Sequence, residues 1–222
     1  MSRIFYSALI FLLICVCGCA VNPVTGKREV MIFSESQEIS FGKNADPDIR
    51  WEFGGVYKDD QLLSYVNSVG QRVASVSDRP KLPYYFTIVD SSVVNAFALP
   101  GGYVYITRGL LVRIDNEAQL ASVLGHEIGH INARHSMKRL QNILGFNLGM
   151  LFLDQVASGS ENYQKWRGML KTGSQVAFAT VSLGYGRKDE YQADELGTKY
   201  ASKAGFDPNG MIQLLELLKS LN

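Results

Sequence analysis

The chain has 222 residues and a mass of 24.6 kDa, enough for one ordinary domain or two small ones. Hydrophobic residues make up 46% and charged residues 19%, which excludes an intrinsically disordered chain. Lys+Arg number 22 and Asp+Glu 21, a net charge of +1, which excludes a protein held to nucleic acid by bulk charge.

Arg3 precedes an apolar run from Ile4 to Val16, and small residues lead to Cys19. This is the layout of a secretory signal peptide, too short for a comfortable membrane span. All three cysteines, Cys15, Cys17 and Cys19, lie in this stretch, so disulfide scaffolds, thiolate-bound metal and cysteine nucleophiles are excluded from the remainder. Val16-Cys17-Gly18-Cys19 resembles a bacterial lipobox, in which the last cysteine takes a lipid and becomes the new N-terminus. On that reading residues 1–18 are a lipoprotein signal peptide and residues 19–33, with Asn22-Pro23 and Thr25-Gly26, a lipidated Cys and tether. A plain signal peptide or an uncleaved anchor is the alternative. Ala20, where an Asp is absent, points by the same resemblance to the bacterial outer membrane on its periplasmic side.

Residues 34–222 read as one domain. Ser34 with Gln37 forms a capping-box pattern and opens a helix to about Asn44. Leu62, Leu63, Val66, Val69, Val73 and Val76 recur at three and four, predicting an amphipathic helix over 59–77. Arg79-Pro80-Lys81-Leu82-Pro83 ends it. Aromatic and β-branched runs predict strands over 84–89, 93–99 and 103–107, the last two joined through Pro100-Gly101-Gly102. Asp115 caps a predicted long helix to about Gln141 that carries all three histidines. Residues 143–156 are apolar but interrupted by Asn147 and Asp154, and read as a buried or lid helix; residues 158–171 are polar. Helices over 187–204 and 209–221 complete the chain. The expectation is an α+β fold, mainly helical, with a small three-stranded sheet beside the histidine helix.

His126-Glu127-Ile128-Gly129-His130 is an H-E-x-x-H sequence within that helix. Positions i and i+4 share a face, so two imidazoles can bind one zinc while Glu127 reaches the water the metal activates. Glu127 is then the general base of a peptide hydrolysis. A catalytic zinc needs a third protein ligand and an open position. His135 lies nine residues after His126, about 900° around a straight helix and so on its far face. That favours a surface or structural histidine. Glu190 and Asp194 are i and i+4 on a predicted helix, where a Glu can complete a two-His, one-Glu site and an Asp can orient a ligand histidine. A solvated acidic stripe, with Asp189 and Glu195 blurring the register, explains the same residues equally well.

His126–His130 together with Glu190-x-x-x-Asp194 resembles the zinc metallopeptidase family of HtpX and the CAAX prenyl proteases. The periplasmic lipoprotein branch, which includes LoiP- and BepA-like proteins, is the most similar. Asn22-Pro23-Val24-Thr25-Gly26, Asn95-Ala96-Phe97-Ala98, Pro100-Gly101-Gly102 before Tyr103-Val104-Tyr105, and Arg108-Gly109-Leu110 carry the resemblance over nearly all of the chain after Cys19. It implies a zincin-like fold with one zinc on His126, His130 and Glu190, Glu127 as general base, and Asp194 behind a ligand. It also implies that Asn95, Ala96 and Phe97 form an edge strand that pairs with an extended substrate; an ordinary core strand is the alternative. The implied function is a membrane-tethered zinc endopeptidase acting on misfolded or extended envelope proteins, with protein or peptide substrates and no nucleic acid. A chaperone-like assembly factor binding unfolded outer-membrane proteins with little turnover is the alternative, and a structural metal domain a third. Members of the family usually continue into a segment with a His-Pro pair and a later Arg. This chain ends at Asn222 without them, so either a shorter form or a missing segment is expected. The oxyanion-stabilising residue is left open, with Tyr185 and Arg187 nearby in sequence.

Overall fold

The computed structural model describes residues 19–143 and 184–220. The signal-peptide reading, the expected lid helix over 143–156 beyond its first residue, and the polar stretch 158–171 lie outside the described residues. Among those described, no helix is long and apolar enough to cross a membrane.

The segment expected to be a tether folds as a hairpin. Strand β1 (Cys19–Val21) pairs antiparallel with β2 (Arg28–Val30). Asn22 closes the turn, its buried Oδ1 accepting from the N–H groups of Val24 and Thr25 at 2.8 and 3.1 Å. Behind the hairpin, Met31 packs on Met137 and Leu140. The Gln141 amide accepts from Ile32 N–H and donates to Val30 C=O, so the hairpin is docked on the domain.

Helix α1 (Glu35–Glu52) starts with the expected capping box at Ser34 and Gln37 but runs well past Asn44, through Pro47. A proline inside a helix removes one hydrogen bond and crowds the preceding turn. Here burial of Ala45 and Ile49 against Phe97, Leu99 and Tyr105 outweighs that cost, and Asp46 beside the proline is tied to Arg50 and accepts from the Tyr105 hydroxyl at 2.7 Å. Helix α2 (Asp60–Ser75) follows its periodicity: Asp59 caps it, and Val66, Val69 and Val73 are buried.

Strands β3 (Tyr85–Val89), β4 (Ala96–Leu99) and β5 (Tyr103–Thr107) form a mixed sheet in the order β3-β5-β4, with β3 parallel and β4 antiparallel to β5. Strand β4 starts three residues later than expected because the Thr107 hydroxyl and backbone take over the carbonyls of Val93 and Asn95. Gly101 and Gly102 turn the chain into β5 with φ of +79° and +97°, and a Cβ on Gly102 would lie 1.8 Å from Pro83 O.

After a short helix α3 (Arg108–Leu111), helix α4 (Glu117–Asn132) is capped by Asn116 rather than Asp115. It does not continue to Gln141. It stops at Asn132, Arg134 takes a left-handed φ of +57°, and a separate helical stretch, α5, covers 135–143. Helices α6 (Arg187–Lys203) and α7 (Asn209–Ser220) match expectation to within a residue or two. Helix α4 is the centre of the core, flanked by α2, α6, α7 and β4. Leu124 and Ile128 are fully enclosed with Val66, Ile88 and Tyr200, each such aliphatic side chain stabilising by about 1.5–3 kcal/mol. The expected α+β architecture, with its three-stranded sheet beside the histidine helix, is what the chain adopts.

Candidate metal centre

Helix α4 presents His126 and His130 one turn apart, and their Nε2 atoms lie 3.0 Å from one another. Helix α6 crosses at main-chain contact. Gly125 and Gly129 on α4 face Gly197 and Ala193 on α6, and a Cβ on Gly197 would sit 2.7 Å from the His126 backbone nitrogen. Only glycines at this crossing allow that approach. It carries Glu190 to the histidines, with Oε2 3.5 Å from His126 Nε2 and Oε1 3.9 Å from His130 Nε2. All three donor atoms fall within 4.8 Å of one another.

These residues fit a zinc ion. Tetrahedral zinc with bonds of about 2.0–2.1 Å sets its ligands about 3.3 Å apart, and the observed separations bracket that value. Three electron-pair donors facing one another also have no mutual hydrogen bond to make unless a proton or a cation sits between them. One Asp194 oxygen accepts from His126 Nδ1–H at 2.9 Å, which turns His126 Nε2 towards Glu190 and His130.

The electrostatics of the metal-free site are uneven. Burial pulls the His126 imidazole down, but the hydrogen bonds to Asp194 and Glu190 outweigh it and push its pKa up to about 10. His130 lies well below its ordinary value, through burial first and then the like charges of His126 and His135. Glu127 is pushed up to about 7, chiefly by burial, with the His126 charge opposing and the Glu190 charge adding. A carboxyl poised near neutrality can both take and return a proton.

The site opens on a cleft of about 520 Å³. Glu127 lines it, with Asn95 and Ala96 along one side and Met211 and Leu214 of α7 on another. Strand β4 is an edge of the sheet, so the side away from β5 has no partner strand among the described residues. Phe97 also lines the cleft, while its ring packs on Phe53 and Tyr105 with centroids 4.5 and 4.9 Å away. Arg187 is exposed at the start of α6, whereas Tyr185 lines the cleft and lies flat on His130 with ring centroids 3.9 Å apart. The Tyr185 hydroxyl is paired with Ser136 at 2.6 Å, and burial raises its pKa.

His135 also departs from expectation. It is buried, and its Nδ1 lies 2.9 Å from His130 Nδ1. The far-face argument assumed a straight helix; the left-handed residue at Arg134 turns the chain back towards His130. Ala133-Arg134 contains no glycine or proline, so nothing local in the sequence announces the break.

The sequence model for peptidase family M48 matches residues 60–221. The chain belongs to peptidase family M48. Among its relatives, it is 31% identical over 205 residues to the beta-barrel assembly-enhancing protease of Escherichia coli (strain K12), covering 88% of this chain and 40% of the relative. It is 28% identical over 205 residues to the mitochondrial metalloendopeptidase OMA1 of Schizosaccharomyces pombe, covering 87% of this chain and 56% of the relative. The human mitochondrial metalloendopeptidase OMA1 is 26% identical over 195 residues, covering 84% of this chain and 37% of the relative. The chain therefore spans roughly two fifths to somewhat over half of the length of these M48 proteins. Family and fold agree with the sequence reading of an α+β metallopeptidase domain, and the His126–His130–Glu190 cluster gives this M48 chain a possible metal site.

Proposed function

We propose that this M48 chain is a zinc-dependent endopeptidase that cleaves extended or misfolded protein segments in the bacterial envelope, with His126, His130 and Glu190 holding one zinc. The observation that carries the reading is the convergence of these three donors beside a buried carboxyl and an unpartnered strand edge. Zinc supplies Lewis acidity there, bringing the pKa of a water towards neutrality and polarising a peptide carbonyl. Glu127 takes the proton of the attacking water and passes it to the leaving amine. Asp194 holds the His126 ring in the tautomer that exposes Nε2. Of the β4 edge at Asn95, Ala96 and Phe97, the Asn95 N–H and C=O are already held by Thr107, so Ala96 offers the main chain that aligns an extended segment by backbone pairing, and the apolar wall of Met211 and Leu214 favours apolar side chains. The lipobox pattern supports a lipid on Cys19 and attachment to the outer membrane facing the periplasm.

The test is hydrolysis of an unfolded protein such as casein by the zinc-loaded protein. Glu127→Gln lowers the rate by about 10²–10⁴-fold while about one zinc per chain is retained. Glu190→Ala loses most of the zinc. Equal cleavage by Glu127→Gln and wild type overturns the peptidase assignment. Retention of binding to unfolded protein by Glu127→Gln, with no turnover in wild type, would identify an assembly factor instead. Cys19→Ala releases the protein from membranes if Cys19 carries the lipid.

A further inference from the structure

The two histidines of the centre are backed by different chemistry. His126 rests on a carboxylate, Asp194. His130 rests on a second imidazole: its Nδ1 lies 2.9 Å from His135 Nδ1, and His135 Nε2 lies 2.9 Å from Gln192 Oε1. Asp189 Oδ1, a pure acceptor when ionised, is 3.6 Å from the same His135 Nε2. His130 and His135 are both almost completely buried, and the Tyr185 ring covers one face of His130, so water has little access to their shared contact.

We propose that His135 is a positioning residue that fixes the tautomer of His130 by accepting its Nδ1–H, with Gln192 and Asp189 fixing the tautomer of His135 in turn. The inference rests on the reading that His130 is a zinc ligand through Nε2. An imidazole that binds metal through Nε2 carries its proton on Nδ1 and must place it on an acceptor. His135 can accept on Nδ1 only if its own proton is on Nε2. Gln192 Oε1 accepts from that Nε2–H at 2.9 Å, the Asp189 carboxylate 3.6 Å away favours a hydrogen on the same side through its charge, and each link then has one donor and one acceptor. Reversing the order would put a hydrogen on His130 Nε2, in the space the metal needs. The break at Ala133-Arg134 gains its purpose here, since a continuous helix would carry His135 away from His130.

The experiment is zinc affinity by chelator competition, with folding checked by circular dichroism, on wild type, His135→Leu, His135→Asn and Gln192→Met. His135→Leu removes the acceptor and weakens zinc about 10–100-fold. His135→Asn, whose carbonyl oxygen can take the place of Nδ1, recovers most of the loss. Gln192→Met acts at the half-exposed far end of the relay and weakens zinc by a few-fold, keeping the test available should His135→Leu fail to fold. In the zinc-loaded wild type, histidine ¹⁵N shifts show His130 protonated on Nδ1 and His135 protonated on Nε2. A folded His135→Leu with wild-type affinity, or a proton on His135 Nδ1, overturns this inference alone. A wild type that binds no zinc overturns the metal centre with it.

Discussion

Two buried polar clusters flank helix α4, and they are built on opposite logics. At its C-terminal end, Arg79 donates through Nη1 to Glu38 Oε1 and Ile131 O at 2.9 and 3.1 Å. Its Nη2 donates to Glu38 Oε2 and Glu35 Oε2 at 2.9 and 3.0 Å. Arg134 Nε stands 3.3 Å from Glu38 Oε2. Most donors here meet acceptors, and the Ile131 carbonyl at the helix end accepts both from the Arg134 N–H at 3.1 Å and from the Arg79 guanidinium. On the α6 side of the same helix, His126, His130 and Glu190 turn three possible metal-ligand atoms on one another, with a proton on His126 in the metal-free state. The first cluster is largely paired within itself, leaving Arg79 Nε and Arg134 Nε without a hydrogen bond, while the second, on the proposed reading, is completed by a cation. Both are polar and at least partly buried; how far donors are matched with acceptors is what separates them.

That contrast can be broken. Arg79→Leu leaves buried Glu38 with Arg134 as its remaining cation, and lowers the unfolding free energy by up to about 3–5 kcal/mol in urea titration while zinc per folded chain stays the same. Loss of zinc from the folded Arg79→Leu protein would show that the two clusters are not separable. Asp194→Ala acts the other way: zinc affinity falls about 10–100-fold, and the accompanying drop in Tm shrinks when a chelator is present. A graded effect sharpens the comparison through pH. Metal-free His126, at about 10, holds its proton through neutrality and must release it to bind zinc, whereas His130 is already neutral. Affinity therefore falls as pH drops, by about tenfold per unit between pH 8 and 6 when measured by competition at each pH. A flat profile would mean that His126 enters the site unprotonated.

How much could be read beforehand follows the range of the forces involved. His126, Glu127 and His130 are legible because helical spacing is local, and α2 because Val66, Val69 and Val73 repeat with the helix period. Glu190 remained ambiguous at the level of spacing, since its convergence depends on a crossing set by Gly125 and Gly197, residues 72 apart along the chain. The face taken by Phe97 was ambiguous too. Both sides of the sheet are buried, as the five buried residues of β5 show, so alternation marks no wet side. The end of α1 was placed too early, at about Asn44, because the packing of Ala45 and Ile49 that carries the helix through Pro47 involves residues distant in sequence. His135 was missed for a subtler reason: one left-handed residue redirects everything after it.

The glycine crossing of α4 and α6 also bears on which ions the proposed centre would accept. Where two helices are separated by side chains, those side chains can change rotamer and let the gap widen. Here main chain rests on main chain, with the Gly197 carbonyl 2.8 Å from where a Gly125 Cβ would be. On the proposed reading, two imidazole nitrogens and one carboxylate held this way suit a small ion with short bonds. Calcium, which takes six to eight oxygens at about 2.3–2.6 Å, would find a single carboxylate among these three donors. The residues that have no side chain at all are what bring that donor set together.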